Sequence, residues 1–119
     1  MKILPLFEGY IVMYSHEKKV LERISSSLKR KYPENIVSVY AFGSRVRGDH
    51  AEGSDFDVLV IVKKRFIAVE EAIIDAFVEE EMNSGVSFDP VIKTLSSFEL
   101  EKHHHTPFFE NIEQEGITL

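Results

Sequence analysis

Residues 56–63 form a nearly all-apolar run, and this run strongly constrains the fold. It reads Phe-Asp-Val-Leu-Val-Ile-Val-Lys, so apolar side chains occupy both odd and even positions after Asp57. Since successive side chains of a strand point to opposite faces, such a run is typical of a strand buried on both faces. The sequence therefore predicts a central sheet covered by helices, with a carboxylate near the start of one strand.

The other segments predict an α/β fold in a single domain spanning residues 1–119. The predicted elements, in chain order, are helix 16–31, strand 36–42, strand 56–63, helix 67–82, strand 86–93 and two short helices, one opening with the capping box Ser96-x-x-Glu99 and one at Thr106-Pro107. Pro90 interrupts the third strand, and because proline cannot donate a ladder hydrogen bond, we expect that strand at an edge. The order predicts a small mixed sheet of three or more strands flanked by helices.

Residues 43–57 carry the pattern that says most about chemistry. Gly43-Ser44 is followed by ten residues and then by Asp55-x-Asp57. Asp55 and Asp57 would point to the same face of a strand, about 7 Å apart, where two carboxylates can share hard divalent cations. A glycine-hydroxyl turn beside them can hold phosphate oxygens through its backbone N–H groups.

The third strand carries another carboxylate, Asp89, between Phe88 and Pro90. If this strand lies beside the second, Asp89 can meet Asp55 and Asp57, and the three would repel one another unless cations neutralise them. Mg²⁺ prefers such oxygen ligands, and two ions about 3.5–4 Å apart can clamp both oxygens of an in-line phosphoryl displacement. The predicted reaction is nucleotidyl transfer from ATP or another NTP, with all three aspartates as metal ligands and catalytic residues. Asp89 would accept the proton of the attacking hydroxyl.

Several polar residues outside these aspartates allow more than one interpretation. Arg45 and Arg47 are candidates for triphosphate contact and equally for a solvated loop face. His50 and Ser54 are interpreted as an ordinary loop histidine and a loop-capping serine. Residues 103–105 are all histidine, but successive residues of a helix point about 100° apart, so the three cannot share one ion and are expected at the surface.

Composition excludes some function classes. Asp and Glu number 20 against 14 Lys and Arg, a net charge of −6, which disfavours direct nucleic-acid binding. The chain has no cysteine, hence no disulfide, thiol nucleophile or thiolate zinc site. No apolar run approaches a membrane span, and residues 1–14 are interpreted as an apolar extension that packs on the core or binds a partner, not as a signal peptide. A cytoplasmic protein is expected.

The pattern resembles the minimal nucleotidyltransferases, small members of the DNA polymerase β-like nucleotidyltransferase superfamily. Their signature is Gly-Ser, ten residues, Asp-x-Asp and a third Asp on a later strand. The residues that match it here are Gly43, Ser44, Asp55, Asp57 and Asp89, together with Arg45, Arg47 and Gly48 of the loop. The resemblance covers about residues 16–117 and implies the nucleotidyltransferase fold, two Mg²⁺ ions and nucleotide binding by Gly43, Ser44, Arg45 and Arg47.

The resemblance also implies a biological role. Minimal nucleotidyltransferases commonly act as the antitoxin of a toxin–antitoxin pair whose toxin is a helical HEPN ribonuclease. They transfer AMP from ATP onto a tyrosine of that toxin and silence it. The net negative charge of this chain would complement a basic ribonuclease partner.

Other functions remain open at this point. The chain could be a binding module, an antitoxin that neutralises its toxin by complex formation alone. It could also modify a small molecule such as an aminoglycoside, although no added helical domain for such an acceptor is seen. A sugar-transferring Asp-x-Asp enzyme would need a much longer chain. The nucleotide base, the acceptor residue, the number of nucleotides transferred and the oligomeric state, including a homo-oligomer, stay undetermined.

Overall fold

The computed structural model of the protein describes residues 15–48 and 55–119. Helices α1 to α5 and strands β1 to β4 follow one another in these ranges. In chain order they are α1 (Ser15–Lys31), β1 (Ile36–Phe42), α2 (Ser44–Arg47), β2 (Phe56–Val62), α3 (Ile67–Ser84), β3 (Phe88–Thr94), α4 (Leu95–His104), α5 (Pro107–Glu115) and β4 (Ile117–Thr118).

The strands form one mixed four-stranded sheet in the order β3-β2-β1-β4. The β1–β2 and β1–β4 pairs are antiparallel, whereas β2 and β3 run parallel and are joined through α3. Strand β3 therefore lies at an edge, as Pro90 predicted. In this position Pro90 is the register partner of Val58 and needs no neighbour on its other side.

The core lies on both faces of β2, which confirms the interpretation of its apolar run. Val58, Val60 and Val62 face α1 and α3, where their partners include Leu21 and Ile73. The alternate residues of β2, Leu59 and Ile61, face the opposite side and pack with Ile112 of α5. Each residue of β2 from Val58 to Val62 is at most 2% exposed. At roughly 25 cal/mol per Å² of apolar surface, burial on both faces makes β2 a large contributor to the stability of the sheet.

The predicted order of elements is confirmed, with two additions and one correction. Sequence patterns missed α2 and β4, which have four and two residues respectively. The predicted capping box at Ser96 is wrong, because the cap is Thr94, two residues earlier, and α4 begins at Leu95. The Thr94 hydroxyl accepts a hydrogen bond from the Ser97 N–H at 3.1 Å.

The second predicted cap is confirmed. The Thr106 hydroxyl accepts a hydrogen bond from the Phe109 N–H at 3.2 Å, and Pro107 occupies the first turn of α5. Across the described ranges, none of the helices is both long enough and apolar enough to cross a membrane.

Candidate active site

Asp57 and Asp89 lie side by side on neighbouring strands. Each is the second residue of its strand, and the parallel register of β2 and β3 pairs them directly. The two strand starts are tied by a hydrogen bond of 2.9 Å from the Phe56 N–H to the Ser87 carbonyl. Since paired residues of adjacent strands lie about 4.8 Å apart and project to the same face, the two carboxylates share one site at this edge of the sheet.

The Gly43-Ser44 turn is placed against the same carboxylates by the β1–β2 pairing. Phe42, the last residue of β1, is the register partner of Asp57, so the chain leaves β1 beside that aspartate. Gly43 has φ 88° and ψ −166°, and its carbonyl accepts hydrogen bonds from the Val46 and Arg47 N–H groups at 3.1 and 3.0 Å. This backbone geometry is nearly restricted to glycine, and it turns the chain at once into α2.

The electrostatics of the site centre on Asp57. Burial raises the pKa of the Asp57 carboxyl, and the negative charges of Asp89 and then Asp55 raise it further, while Arg47 lowers it. Asp55, just before β2, and Asp89 are both exposed, whereas Asp57 is half-buried. Among the described residues, negative charge at this site thus outweighs the positive charge in its effect on Asp57, as expected where a cation or a phosphate-bound cation binds.

Arg47 and Arg45, neighbours in α2, face different parts of the protein. Arg47 lies near enough to Asp57 to affect its pKa and donates a hydrogen bond of 2.8 Å to Glu115 at the end of α5. Arg45 instead stacks on the ring of Phe56, with its guanidinium carbon 4.4 Å from the ring centroid, on the face of the sheet opposite to Asp57.

The Arg45 side chain is only 17% exposed and lies 3.9 Å from Glu17 of α1. The structure thus brings Arg47 to the carboxylates and places Arg45 away from them. Neither Glu115 nor Glu17 was singled out from the sequence, because these partners are 68 and 28 positions away and no local pattern marks them.

The carboxylate oxygens at this edge of the sheet are suitable ligands for a hard divalent cation. Two paired carboxylates with a third nearby supply only oxygen ligands, which Mg²⁺ prefers. Within residues 15–48 and 55–119, however, no group of three or more His, Cys, Asp or Glu side chains is arranged so that it could hold an ion. His103, His104 and His105 are all exposed and belong to no such group among the described residues.

Three sequence interpretations concern residues that lie outside the described ranges. They are the apolar segment 1–14, His50 and Ser54. The loop that separates the Gly-Ser turn from Asp55 is therefore described only at its two ends, by Gly48 and by Asp55 itself.

Comparison with known proteins identifies relatives over most of the chain. The profile of the nucleotidyltransferase domain family matches residues 21–117. A protein of Methanocaldococcus jannaschii named "putative protein adenylyltransferase" is 29% identical over 104 residues, which cover 87% of this chain and 98% of the relative. A second protein of that organism with the same name is 32% identical over 76 residues, 61% of this chain and 52% of the relative. This chain thus aligns with about half of the second relative.

A solved structure shares the fold. It is the crystal structure of a "putative nucleotidyltransferase" from Sulfolobus solfataricus, which superposes with a TM-score of 0.55 at 21% sequence identity. The superposition covers 92% of this chain and 86% of the other. At this level of identity the likeness concerns the fold alone.

Proposed function

The chain belongs to the nucleotidyltransferase domain family and is a nucleotidyltransferase, and we propose that it transfers AMP from ATP to a hydroxyl of a protein partner. The observation that carries the proposal is the direct register pairing of Asp57 with Asp89 beside the Gly43 turn. The names of the two archaeal relatives, which specify protein adenylylation, support a protein as the acceptor.

The roles follow from the positions of the residues. Asp57 and Asp89 would hold Mg²⁺ together, with Asp55 as the third ligand. Bound Mg²⁺ would neutralise phosphate charge and orient the triphosphate for in-line attack. The N–H groups of the Gly43-Ser44 turn would bind the phosphate tail, and Arg47 would add a positive charge to it. Arg45, packed on Phe56, is better suited to hold α2 against the core than to contact the nucleotide.

The transfer itself needs one proton acceptor and one leaving group. The acceptor hydroxyl oxygen forms a bond to the α-phosphorus, and the bond from that phosphorus to the bridging oxygen breaks, so pyrophosphate leaves. Asp89 is exposed at the strand edge and would take the hydroxyl proton. Asp57 is less accessible. Burial and the nearby carboxylates raise the pKa of its carboxyl because they destabilise its negative charge, and a bound cation would stabilise that charge.

The proposed partner is a ribonuclease of the HEPN type. We place the protein in the cytoplasm, as the antitoxin of a HEPN ribonuclease that is silenced by modification of a tyrosine. Support comes from the family resemblance of the Gly-Ser and Asp-x-Asp residues and from the net charge of −6, which suits a basic partner.

Label transfer tests the proposal. The protein and its Asp57→Asn variant are incubated with α-labelled ATP, Mg²⁺ and a co-encoded partner protein, or with cell extract if none is known. Label should appear on a protein band with the wild type only, and a chelator should abolish it. Equal labelling by the variant would refute the metal-ligand role of Asp57, and labelling of small molecules alone would refute a protein acceptor.

A binding-only antitoxin is the second candidate function. It is favoured by one observation, that no three metal-ligating side chains are grouped for an ion in the described part of the chain. In that case Asp57→Asn would bind the partner as tightly as the wild type, and neutralisation of the partner would not depend on ATP or Mg²⁺. Loss of neutralisation in the variant, with binding intact, would exclude this candidate.

A further inference from the structure

Helix α3 presents apolar side chains to solvent next to its buried face. Ile73 and Phe77 are buried against the sheet. Four residues on the outer side, here called the outer stripe, are exposed: Ile67 (78%), Ile74 (39%), Val78 (51%) and Met82 (81%). Their spacings of seven, four and four residues align them along one face of a helix, and the aligned face runs for about 22 Å. Ile74, Val78 and Met82 are successive neighbours four residues apart, whereas Glu70 and Glu71 lie between Ile67 and Ile74 on the same helix face. Clustered exposed apolar side chains of this kind mark interaction surfaces.

Acidic residues border the outer stripe. Helix α3 contains no basic residue, and its six acidic residues are Glu70, Glu71, Asp75, Glu79, Glu80 and Glu81. Glu70 is paired with Arg65 and Glu80 with Arg23. Among residues 15–48 and 55–119, Glu71, Asp75 and Glu79 form no ion pair, so their charges face solvent beside the stripe.

An open depression lies next to these charges. Its lining residues among those that the structure describes, Glu70, Glu71, Ile74 and Asp75, all belong to α3 and include three carboxylates and one residue of the outer stripe. A basic side chain that entered it could pair with the carboxylates while its aliphatic part contacted Ile74.

The Met82 end of the outer stripe lies towards the end of the sheet at which β2 and β3 start, where the paired aspartates also lie. Because α3 connects two parallel strands, it runs back to the edge where both strands start. Asp57 and Asp89 are the second residues of those strands, and Met82 lies in the last turn of α3. The aspartates project to the face of the sheet opposite to α3, so a molecule bound along the stripe would reach them by extending past Met82 and around the starts of β2 and β3.

We propose that the outer stripe docks the acceptor protein through an amphipathic helix whose apolar face is bordered by Lys and Arg. This inference rests on the proposed protein acceptor and specifies how that acceptor is held. Charge decides between possible occupants: a second copy of α3 would bring acidic borders against each other, whereas a basic partner would neutralise Glu71, Asp75 and Glu79.

The test uses a synthetic 18-residue helical peptide with a leucine face bordered by lysines. A control peptide of the same composition has its leucines scattered around the helix. Binding is measured by fluorescence anisotropy for the wild type, for the double variant Ile74→Ser/Val78→Ser and for Leu100→Ser. Leu100 is a matched control, since it is 60% exposed but lies on α4.

The amphipathic peptide should bind the wild type and Leu100→Ser equally, and the double variant at least tenfold more weakly. The control peptide should bind the wild type at least tenfold more weakly than the amphipathic peptide does. The variant Asp75→Asn/Glu79→Gln should bind the amphipathic peptide with a smaller dependence on salt. Equal binding of both peptides, or undiminished binding by a folded double variant, would overturn the proposal. So would a wild-type dimer in sedimentation that the double variant converts to monomer, because a second copy would then cover the stripe.

This result is separable from the proposed reaction. Peptide binding needs neither ATP nor Mg²⁺, so Asp57→Asn should bind the peptide like the wild type. Peptide binding by a protein that transfers no label would contradict the proposed reaction only. If the double variant transfers label to the protein acceptor at the same acceptor concentration as the wild type, the docking surface alone is contradicted.

Discussion

The backbone of Gly43 and the carboxylate of Asp57 are packed so closely that no side chain fits between them. A Cβ placed on Gly43 would overlap Asp57 Oδ2 and lie 3.0 Å from its Cγ. The contact arises because Phe42 and Asp57 are register partners, and Gly43 turns away from β1 with a positive φ. The glycine of the Gly-Ser pair is thus required twice, once for its φ and once for the space that Asp57 occupies.

Gly43→Ala should therefore disrupt the site as well as destabilise the fold. Backbone strain alone should lower the free energy of unfolding by about 1–3 kcal/mol, and displacement of Asp57 should reduce transfer at least tenfold. Urea denaturation and label transfer measure the two effects. Gly85→Ala is the matched control, since Gly85 also has a positive φ, 78°, but has nothing within 4 Å of the added Cβ. That variant should lose about 1–2 kcal/mol and keep its activity. Equal activities of the two variants would argue against the Asp57 contact.

Asp57→Asn should abolish transfer and stabilise the metal-free protein at neutral pH. Because the pKa of Asp57 is raised in the folded state by burial, Asp89 and Asp55, the ionised carboxylate opposes folding. The stability that this group contributes is present below its unfolded pKa of about 3.9 and is lost as pH rises through the folded pKa. In chelator, the variant should thus exceed the wild type in denaturation midpoint at pH 7, and the difference should shrink towards pH 3. A variant less stable than the wild type at pH 7 would contradict the repulsion.

Periodicity and turn chemistry were enough to predict most elements of the fold. The apolar run at 56–63 predicted a strand buried on both faces, and Pro90 predicted an edge strand, because each signal is local and has one structural explanation. The Ser96 capping box failed because two hydroxyl residues, Thr94 and Ser96, were close enough to compete for the same helix start. The Thr94 hydroxyl, at the end of β3, accepts the Ser97 N–H.

The site was less completely predictable, since its contacts join distant segments. The spacing of Gly43, Asp55 and Asp57 could be read in the sequence, but the pairing with Asp89 depends on the register between β2 and β3. Likewise, Arg45 and Arg47 look equivalent in the sequence. Their different environments follow from α2, which directs Arg45 to Phe56 and Arg47 to the side of Glu115.

Mg²⁺ should stabilise the folded protein if Asp57 and Asp89 hold it. A ligand that binds only the folded state at tenfold its Kd adds about 1.4 kcal/mol, which raises the Tm of a chain of this size by several degrees. Thermal unfolding with and without Mg²⁺ measures the shift without any need for activity. Asp89→Asn should lose most of the shift, whereas Asp75→Asn, a carboxylate of α3 remote in sequence from the pair, should keep it. A shift of the same size in Asp89→Asn would exclude this residue as a ligand.

Glu101 should stabilise the packing of α4 and α5 against β3 in a pH-dependent manner. Burial tends to raise the pKa of Glu101, but its hydrogen bonds with Lys93 and Thr106 and the positive charge of Lys93 outweigh burial, so the pKa is lowered. The Thr106 hydroxyl donates to Glu101 at 2.7 Å, and the Lys93 ammonium also lies 4.4 Å from the centroid of the Phe108 ring.

Glu101→Gln should consequently lower the free energy of unfolding by about 1–2 kcal/mol at pH 7, because it removes a charged hydrogen-bond acceptor. For a carboxyl with a lowered folded pKa, the stabilisation is present above the unfolded pKa, about 4.3, and is lost as pH falls through the folded value. The difference from the wild type in urea denaturation should therefore disappear towards pH 3. Glu99→Gln, on the same helix but exposed, serves as control and should change stability by less than about 0.5 kcal/mol at either pH. A pH-independent loss in Glu101→Gln would show that its amide disturbs packing and that the ion pair with Lys93 contributes nothing.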